Sequence, residues 1–414
     1  MEEKKLGKII LVIIITIIIF GRYFSLINIE ELNQFHKTTE QRNVVNSLNS
    51  DSSLNITNPY AEHLIGIDHY NSTFYPVDLI IHKSHLFIGA GNILEIFSIR
   101  NPENPKLVGT FQAVDKIVDI EIINDKNIIL ANGEKGIEIV GIRNKEQPYS
   151  KSVYDNFSSY TFGFFSNKVK VTNDVKHAYV SNKDSFAVMD ISDLEKPKKV
   201  KEMKPSGSLW LGKIYIHQNK LYVATDQMDW SLGRLYIYDI TDADSPSLIT
   251  TMDGFDSVDG LFFTDRYLFL GFSYSYESGI AIRIYDLENE INITRYINEI
   301  SPFNPIYDIY VQNDIAFVNH GNYDNRTLTC INVSDIMNPI ILSDYLGQNS
   351  NSWLLNLEIE KDILFINEGW NGIHIFRLEN WDFEKLNSSL LIIPWLLCVV
   401  FVVVLIVNYR KKLK

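Results

Sequence analysis

The chain has 414 residues, 46% of them hydrophobic and 12% aromatic, with 38 Lys and Arg against 51 Asp and Glu. That apolar content excludes global disorder. The net charge of −13 argues against nucleic acid as a partner, because phosphate binding needs a basic face.

The first feature in chain order is the apolar run Ile9 to Phe20, preceded by Lys4, Lys5 and Lys8 and closed by Gly21-Arg22. It is shorter than the roughly 20 residues of a comfortable membrane span and suits a secretory signal. Yet Gly21-Arg22-Tyr23-Phe24 is a poor cleavage site, so residues 1–27 read as a signal anchor, with a cleaved signal peptide as the alternative. Residues 28–62 are rich in Asn, Ser and Thr without lasting periodicity and read as a polar stalk. At the far end, Leu390 to Val407 is uncharged and apolar and is followed by Arg410, Lys411, Lys412 and Lys414. This predicts a short linker (380–389), a transmembrane helix (390–408) and a basic cytoplasmic tail (409–414). A sorting signal processed after anchoring has the same outline. The excess of basic residues at both ends places them in the cytoplasm, so the intervening sequence is expected on the extracellular side of the cell membrane.

Between these ends a motif recurs. A β-branched and aromatic run enters a polar turn at Ile96 to Arg100 and Ile139 to Arg143, then at Val188-Met189-Asp190-Ile191-Ser192-Asp193 and Ile237-Tyr238-Asp239-Ile240-Thr241-Asp242. Further copies are Ile284 to Leu287, Ile331 to Asp335 and Ile375 to Leu378, and most are followed by Pro, as at Pro105, Pro148, Pro197, Pro246 and Pro339. Taking Ser98, Gly141, Asp190, Asp239, Asp286, Asn332 and Arg377 as equivalent, the steps are 43, 49, 49, 47, 46 and 45 residues. Short strands repeating in the forties predict the blades of a β-propeller. Each unit reads as four strands: a hairpin such as Asp78 to His82 with Leu86 to Ala90, a third strand into the motif, and a fourth after the proline such as Leu107 to Thr110.

The last unit has three strands, while His63 to Ile67 resembles a fourth strand ahead of the first full unit. An N-terminal strand completing the C-terminal blade would close the ring and remove both sheet edges. The expected fold over 63–379 is therefore an all-β, seven-bladed β-propeller closed by an N-terminal strand. The repeats resemble the LVIVD-repeat family of cell-surface β-propellers, most clearly at Asp190-Ile191-Ser192-Asp193 and Asp239-Ile240-Thr241-Asp242. The resemblance decays at Gly141 and Arg377, where the Asp is missing. It implies a propeller exposed on the cell surface and no particular activity.

Strands in a meandering blade alternate in direction, so a chain entering at a fourth strand and leaving after a third does both on one face. The opposite face carries the loops between second and third strands, and loops on a rigid scaffold are where binding sits. Those loops hold Asp229 and Trp230, Tyr274 and Tyr276, and His320 and Tyr323, with Trp210, Trp353 and Trp370 in neighbouring positions. Asp78, Asp119 and Asp308 begin inner strands at the same channel mouth. Aromatic faces beside carboxylates can stack on sugar rings or anchor a protein. The competing reading is that these aromatics wedge between blades and the acids end turns.

No G-x-S-x-G, H-E-x-x-H, P-loop or C-x-x-C sequence occurs, so no catalytic residue, cofactor or metal is expected. His82, His217 and Glu360 share one end of the inner strands, but the first and fourth blades lie nearly opposite, which disfavours a shared ion. Cys330 falls mid-strand as a buried thiol. Candidate glycosylation sequons start at Asn55, Asn71, Asn156, Asn292, Asn325, Asn332 and Asn387. The leading expectation is a non-catalytic binding or adhesion module for an extracellular protein or glycan. A propeller hydrolase or lyase on saccharides or lactones, and a self-associating surface coat, are the alternatives.

Overall fold

The computed structural model describes residues 64–70, 75–102, 104–157, 168–182, 184–206, 210–226, 233–255, 257–273, 282–288, 298–300, 306–322, 325–346, 356–369 and 372–378. The expected signal anchor, stalk, linker, transmembrane helix and tail lie outside them. Among the described residues no helix is long and apolar enough to cross a membrane.

The described residues form seven four-stranded antiparallel sheets. In six of them the strands follow chain order, so each is a meander of consecutive hairpins. The seventh is built from Leu357–Glu360, Ile363–Asn367 and Ile373–Leu378, with Leu64–Tyr70 added at its edge. Leu64 pairs with Leu378 and Tyr70 with Ile373 in that addition, so the expected closing strand is present, starting one residue later and running three residues further than the sequence suggested. The first strands of successive blades touch in a circle, with Pro76–His82 also against Leu357–Glu360 of the last blade. The fold is a seven-bladed β-propeller.

Each blade buries both sheet faces against its neighbours, which explains why the second and third strands read as unbroken apolar runs instead of alternating ones. Ile363–Asn367 is buried throughout, whereas the outer strand Lys106–Gln112 is largely open. The core is accordingly divided into seven clusters, one per blade interface. Phe87, Leu94 and Ile96 of the first blade pack on Ile117, Ile128 and Leu130 of the second. The closing interface puts Leu79, Leu86 and Ile88 against Ile363, Phe365 and Ile375. Cys330, fully buried, belongs to the cluster between the sixth and seventh blades. Near one channel mouth the blades pinch: a Cβ on Gly89 would lie 2.7 Å from Ile117 Cγ2, and one on Gly271 would lie 2.4 Å from Ile306 Cγ2. Apolar side chains remain exposed on the rim, among them Leu248 and Ile249 of the fourth blade and Ile340 and Ile341 of the sixth.

The repeated Asp motif is a double turn. Asp190 Oδ1 accepts the Ser192 amide (2.9 Å), Asp239 Oδ1 that of Thr241 (2.8 Å) and Asn332 Oδ1 that of Ser334 (2.9 Å). The second acid repeats the device, Asp193 accepting from Glu195 and Asp335 from Met337, both at 3.0 Å. These Asx turns reverse the chain between third and fourth strands without needing a partner blade. The intervening apolar residue docks the turn on the first hairpin, as when the Ile191 amide donates to the Lys176 carbonyl (2.8 Å). At Gly141 the Asp is missing because Tyr149 occupies its place: a Cβ there would lie 2.5 Å from the ring.

Candidate functional site

Seven inner strands surround a channel cavity of ≈ 220 Å³. In five blades a β-bulge interrupts the pairing of the inner strand near its start, between Pro76 and Asp78, Ile117 and Asp119, Leu211 and Ile214, Val258 and Gly260, and Ile306 and Asp308. The residue after or within the bulge faces the channel. By register with the second strands, Asp78, Asp119, Lys168, Lys213, Gly260, Asp308 and Asn356 occupy equivalent places at one mouth. Two residues deeper, Lys170, Tyr215, Phe262, Tyr310 and Glu358 line the wall.

The three aspartates expected at this mouth are there, and each reaches the next blade. Asp78 Oδ2 accepts the Ile120 amide (2.8 Å), Asp119 Oδ2 that of Val169 (2.8 Å) and Asp308 Oδ2 that of Leu357 (3.4 Å). Their other oxygens complete a polar lattice: Asn356 Nδ2 donates to Asp78 Oδ1 (2.5 Å), Lys168 Nζ pairs with Asp119 Oδ1 (2.8 Å) and Lys213 Nζ with Asp308 Oδ1 (2.6 Å). Just beyond the lining, Glu121 pairs with Lys170 at 2.5 Å, and Lys170 Nζ stands 6.0 Å from the Tyr215 ring centre. The Phe262 and Tyr310 rings meet at 4.8 Å between centres.

Burial pushes the Asp78 carboxyl up to about 7, with the Asp119 charge adding to it and Lys168 and the Ile120 amide opposing. Glu358 is pushed further, to about 8, by burial and then by Asp78 and Asp308, with Lys170 as the opposing cation. Its open surface faces the channel cavity, so water there does not restore bulk solvation. For Lys170 burial works against the charge, but Glu121 and Asp119 outweigh it and hold the amine protonated. The channel is thus a compact field of ion pairs with two carboxyls poised near neutral pH, suited to holding a small polar guest and to exchanging protons.

The other expected residues distribute differently. Asp229, Trp230, Tyr274, Tyr276, Tyr323, Trp353 and Trp370 lie outside the described residues. Trp210 opens the inner strand of the fourth blade and pairs with Asp226. His320 is not in a loop: the strand Ile315–Asn322 runs through it, since Asn322 and Asn325 close a two-residue hairpin. Its ring is buried, holds Thr329 Oγ1 at 2.7 Å from Nε2, and is driven by burial down to about 4. A neutral, enclosed imidazole is a packing element, which removes His320 from the outward face. Among the sequons, Asn156 is exposed, whereas Asn332 is buried with its amide oxygen engaged in the Ser334 turn, a place that leaves no room for a glycan. Asn325 opens a strand, and Asn55, Asn71, Asn292 and Asn387 lie outside the described residues. His82 pairs with Asp125 (2.9 Å) and His217 stacks on Phe263 (4.6 Å between centres), so the two imidazoles serve separate contacts.

The residues that the sequence reading missed are Lys168, Lys170, Lys213, Glu121, Tyr215, Tyr310, Asn356 and Glu358. The signal that would have found them is the alignment of all seven inner strands from the bulge onward, where they fall in two registers.

No family model matches the chain, and no curated protein matches its sequence. Solved structures share the fold. The Neurospora crassa Pan2 WD40 domain matches with a TM-score of 0.57 at 12% identity, covering 77% of this chain and 96% of that one. Saccharomyces cerevisiae Sqt1 gives 0.52 at 10%, covering 76% and 98%. The computationally designed Ika8 protein gives 0.52 at 9%, covering 76% and 99%. At such identities the likeness is one of fold, that of a β-propeller.

Proposed function

We propose that the protein is a membrane-tethered, extracellular binding or adhesion module of the LVIVD-repeat type, presenting its loop face to a protein or glycan. One observation carries this reading: Leu64, where the described chain enters the propeller, pairs with Leu378, where it leaves. Both connections to the terminal apolar segments therefore start from one face, and the opposite face, with the channel mouth, stays free for a partner. The acidic composition favours partners other than nucleic acid.

The test is binding of the full-length chain to glycan arrays and cell-envelope extracts, compared with a variant carrying Trp230→Ala, Tyr276→Ala and Trp370→Ala. Saturable binding that the triple variant loses while keeping its melting temperature supports the loop face; equal binding by both sinks it.

A second reading, a hydrolase or lyase acting on extracellular saccharides or lactones, is favoured by Asp78 and Glu358, two carboxyls near neutral pH in one channel. Turnover of such substrates that Asp78→Asn abolishes would select it.

A further inference from the structure

The channel's charges do not balance. Its lining holds three amines, and each is committed: Lys168 to Asp119, Lys213 to Asp308, and Lys170 to Glu121 behind it. Of the lining carboxyls that remain, Asp78 is satisfied by two neutral donors, the Ile120 amide and Asn356. Glu358 has no hydrogen bond or ion pair among the described residues, although it lines the cavity. Around the ring it stands next to Tyr310 of the sixth blade, whose ring touches Phe262 of the fifth. A carboxylate beside two aromatic rings, in a pocket whose own cations are all engaged, is the arrangement that takes up a cation by charge and by ring faces together.

We infer that the channel binds a small organic ammonium ion, with Glu358 as its counter-ion and the Tyr310 and Phe262 rings as its wall. A bare metal ion fits poorly, since no group of three potential ligands gathers among the described residues. An anion would find every lysine already paired. This inference goes beyond the loop-face reading and does not depend on it.

The ammonium supplies the missing charge only when Glu358 is ionised. The groups facing that carboxyl are Asp78 on the first blade, Asp119 and Glu121 on the second, and Lys168 and Lys170 on the third. Lys213 and Tyr215 of the fourth, Asp308 and Tyr310 of the sixth, and Glu360 on its own strand complete the set; the fifth contributes uncharged Leu261 and Phe262. Glu358, with Asp78 contributing below it, sets the pH response. Affinity rises with pH until Glu358 is fully ionised, on the order of 100-fold between pH 6 and pH 9 for a guest of fixed charge.

The experiment is calorimetric titration of the full-length chain with tetramethylammonium and with choline, beside the neutral isostere 3,3-dimethylbutan-1-ol. Saturable one-to-one binding of either cation is expected, with the isostere at least tenfold weaker. Glu358→Gln lowers the affinity at least tenfold and flattens its pH dependence, and Tyr310→Leu weakens it severalfold, each measured on protein whose melting curve shows a single cooperative transition. The pH series needs no substitution, so it decides even if a variant folds poorly. Absence of saturable binding by both cations, equal binding of the isostere, or an affinity independent of pH overturns the inference.

Discussion

Two sets of carboxylates in this molecule behave in opposite ways. At the third-strand turns, Asp190, Asp239 and Asp335 accept nearby amides at the solvent edge, and their hydrogen bonds hold the carboxyls below the usual range. In the channel, Asp78 and Glu358 are pushed up because burial and neighbouring like charge outweigh the donors available. The same functional group thus marks a repeat in one place and a potential site in the other. What separates them is the source of their donors. A turn supplies its amide from two residues away, whereas a channel carboxylate depends on another blade, and Glu358 has drawn none among the described residues.

The contrast is broken most severely by Asp119→Ala. Lys168, largely buried, would lose its counter-ion and the Val169 amide its acceptor. A loss of about 3–5 kcal/mol in chemical denaturation is expected; a loss below about 1 kcal/mol would mean that channel water replaces the carboxylate freely. Next in size is Glu358→Gln, with the opposite sign. The ordinary value of 4.5 in the unfolded chain rises to about 8 in the fold, so between those values the folded state binds the extra proton. Stability of the native protein therefore falls as pH rises through that window. The glutamine variant escapes this slope and should be the more stable one at pH 8, by on the order of 2 kcal/mol after allowance for channel water, with the gap closing toward pH 5. Denaturation midpoints at the two pH values check it.

The fold was legible because its signals are local. An Asx turn and a proline stamp each unit at a regular spacing, and the missing fourth strand at one end matched a spare strand at the other, as the Leu64 to Leu378 pairing bears out. The channel was only partly legible. Asp78, Asp119 and Asp308 stood out by position, but Lys168, Lys213 and Asn356 fill the same ring with different chemistry, so no repeated letter marks it. The sixth blade's bulge also shifts the alternation of its inner strand by one residue, which hides Tyr310 from a simple in-and-out reading. His320 was misplaced for a different reason: a hairpin extended by three residue pairs, from His320–Thr327 to Asn322–Asn325, turned part of an expected loop into strand. Local turns are written in adjacent residues, while a channel is written once per blade across the whole chain.

The smallest effect belongs to the turn, and the sixth blade has already performed the substitution. There Asn332 takes the Asp position and its Oδ1 still accepts the Ser334 amide, so the turn requires an oxygen and not a charge. Asp190→Asn should accordingly leave stability within a few tenths of a kcal/mol of the native protein at neutral pH, whereas Asp190→Ala forfeits the Ser192 bonds and costs about 0.5–1 kcal/mol, water at the exposed edge recovering the rest. The pH responses diverge as well. The lowered carboxyl of Asp190 lends stability above its ordinary value of 3.8 that disappears as pH falls through its folded value, and the asparagine variant lacks that dependence. Melting curves at pH 7 and pH 3 for the three proteins separate the cases. If Asp190→Asn proves as costly as Asp190→Ala, charge matters at the turn, and the division between turn and channel carboxylates would have to be drawn elsewhere.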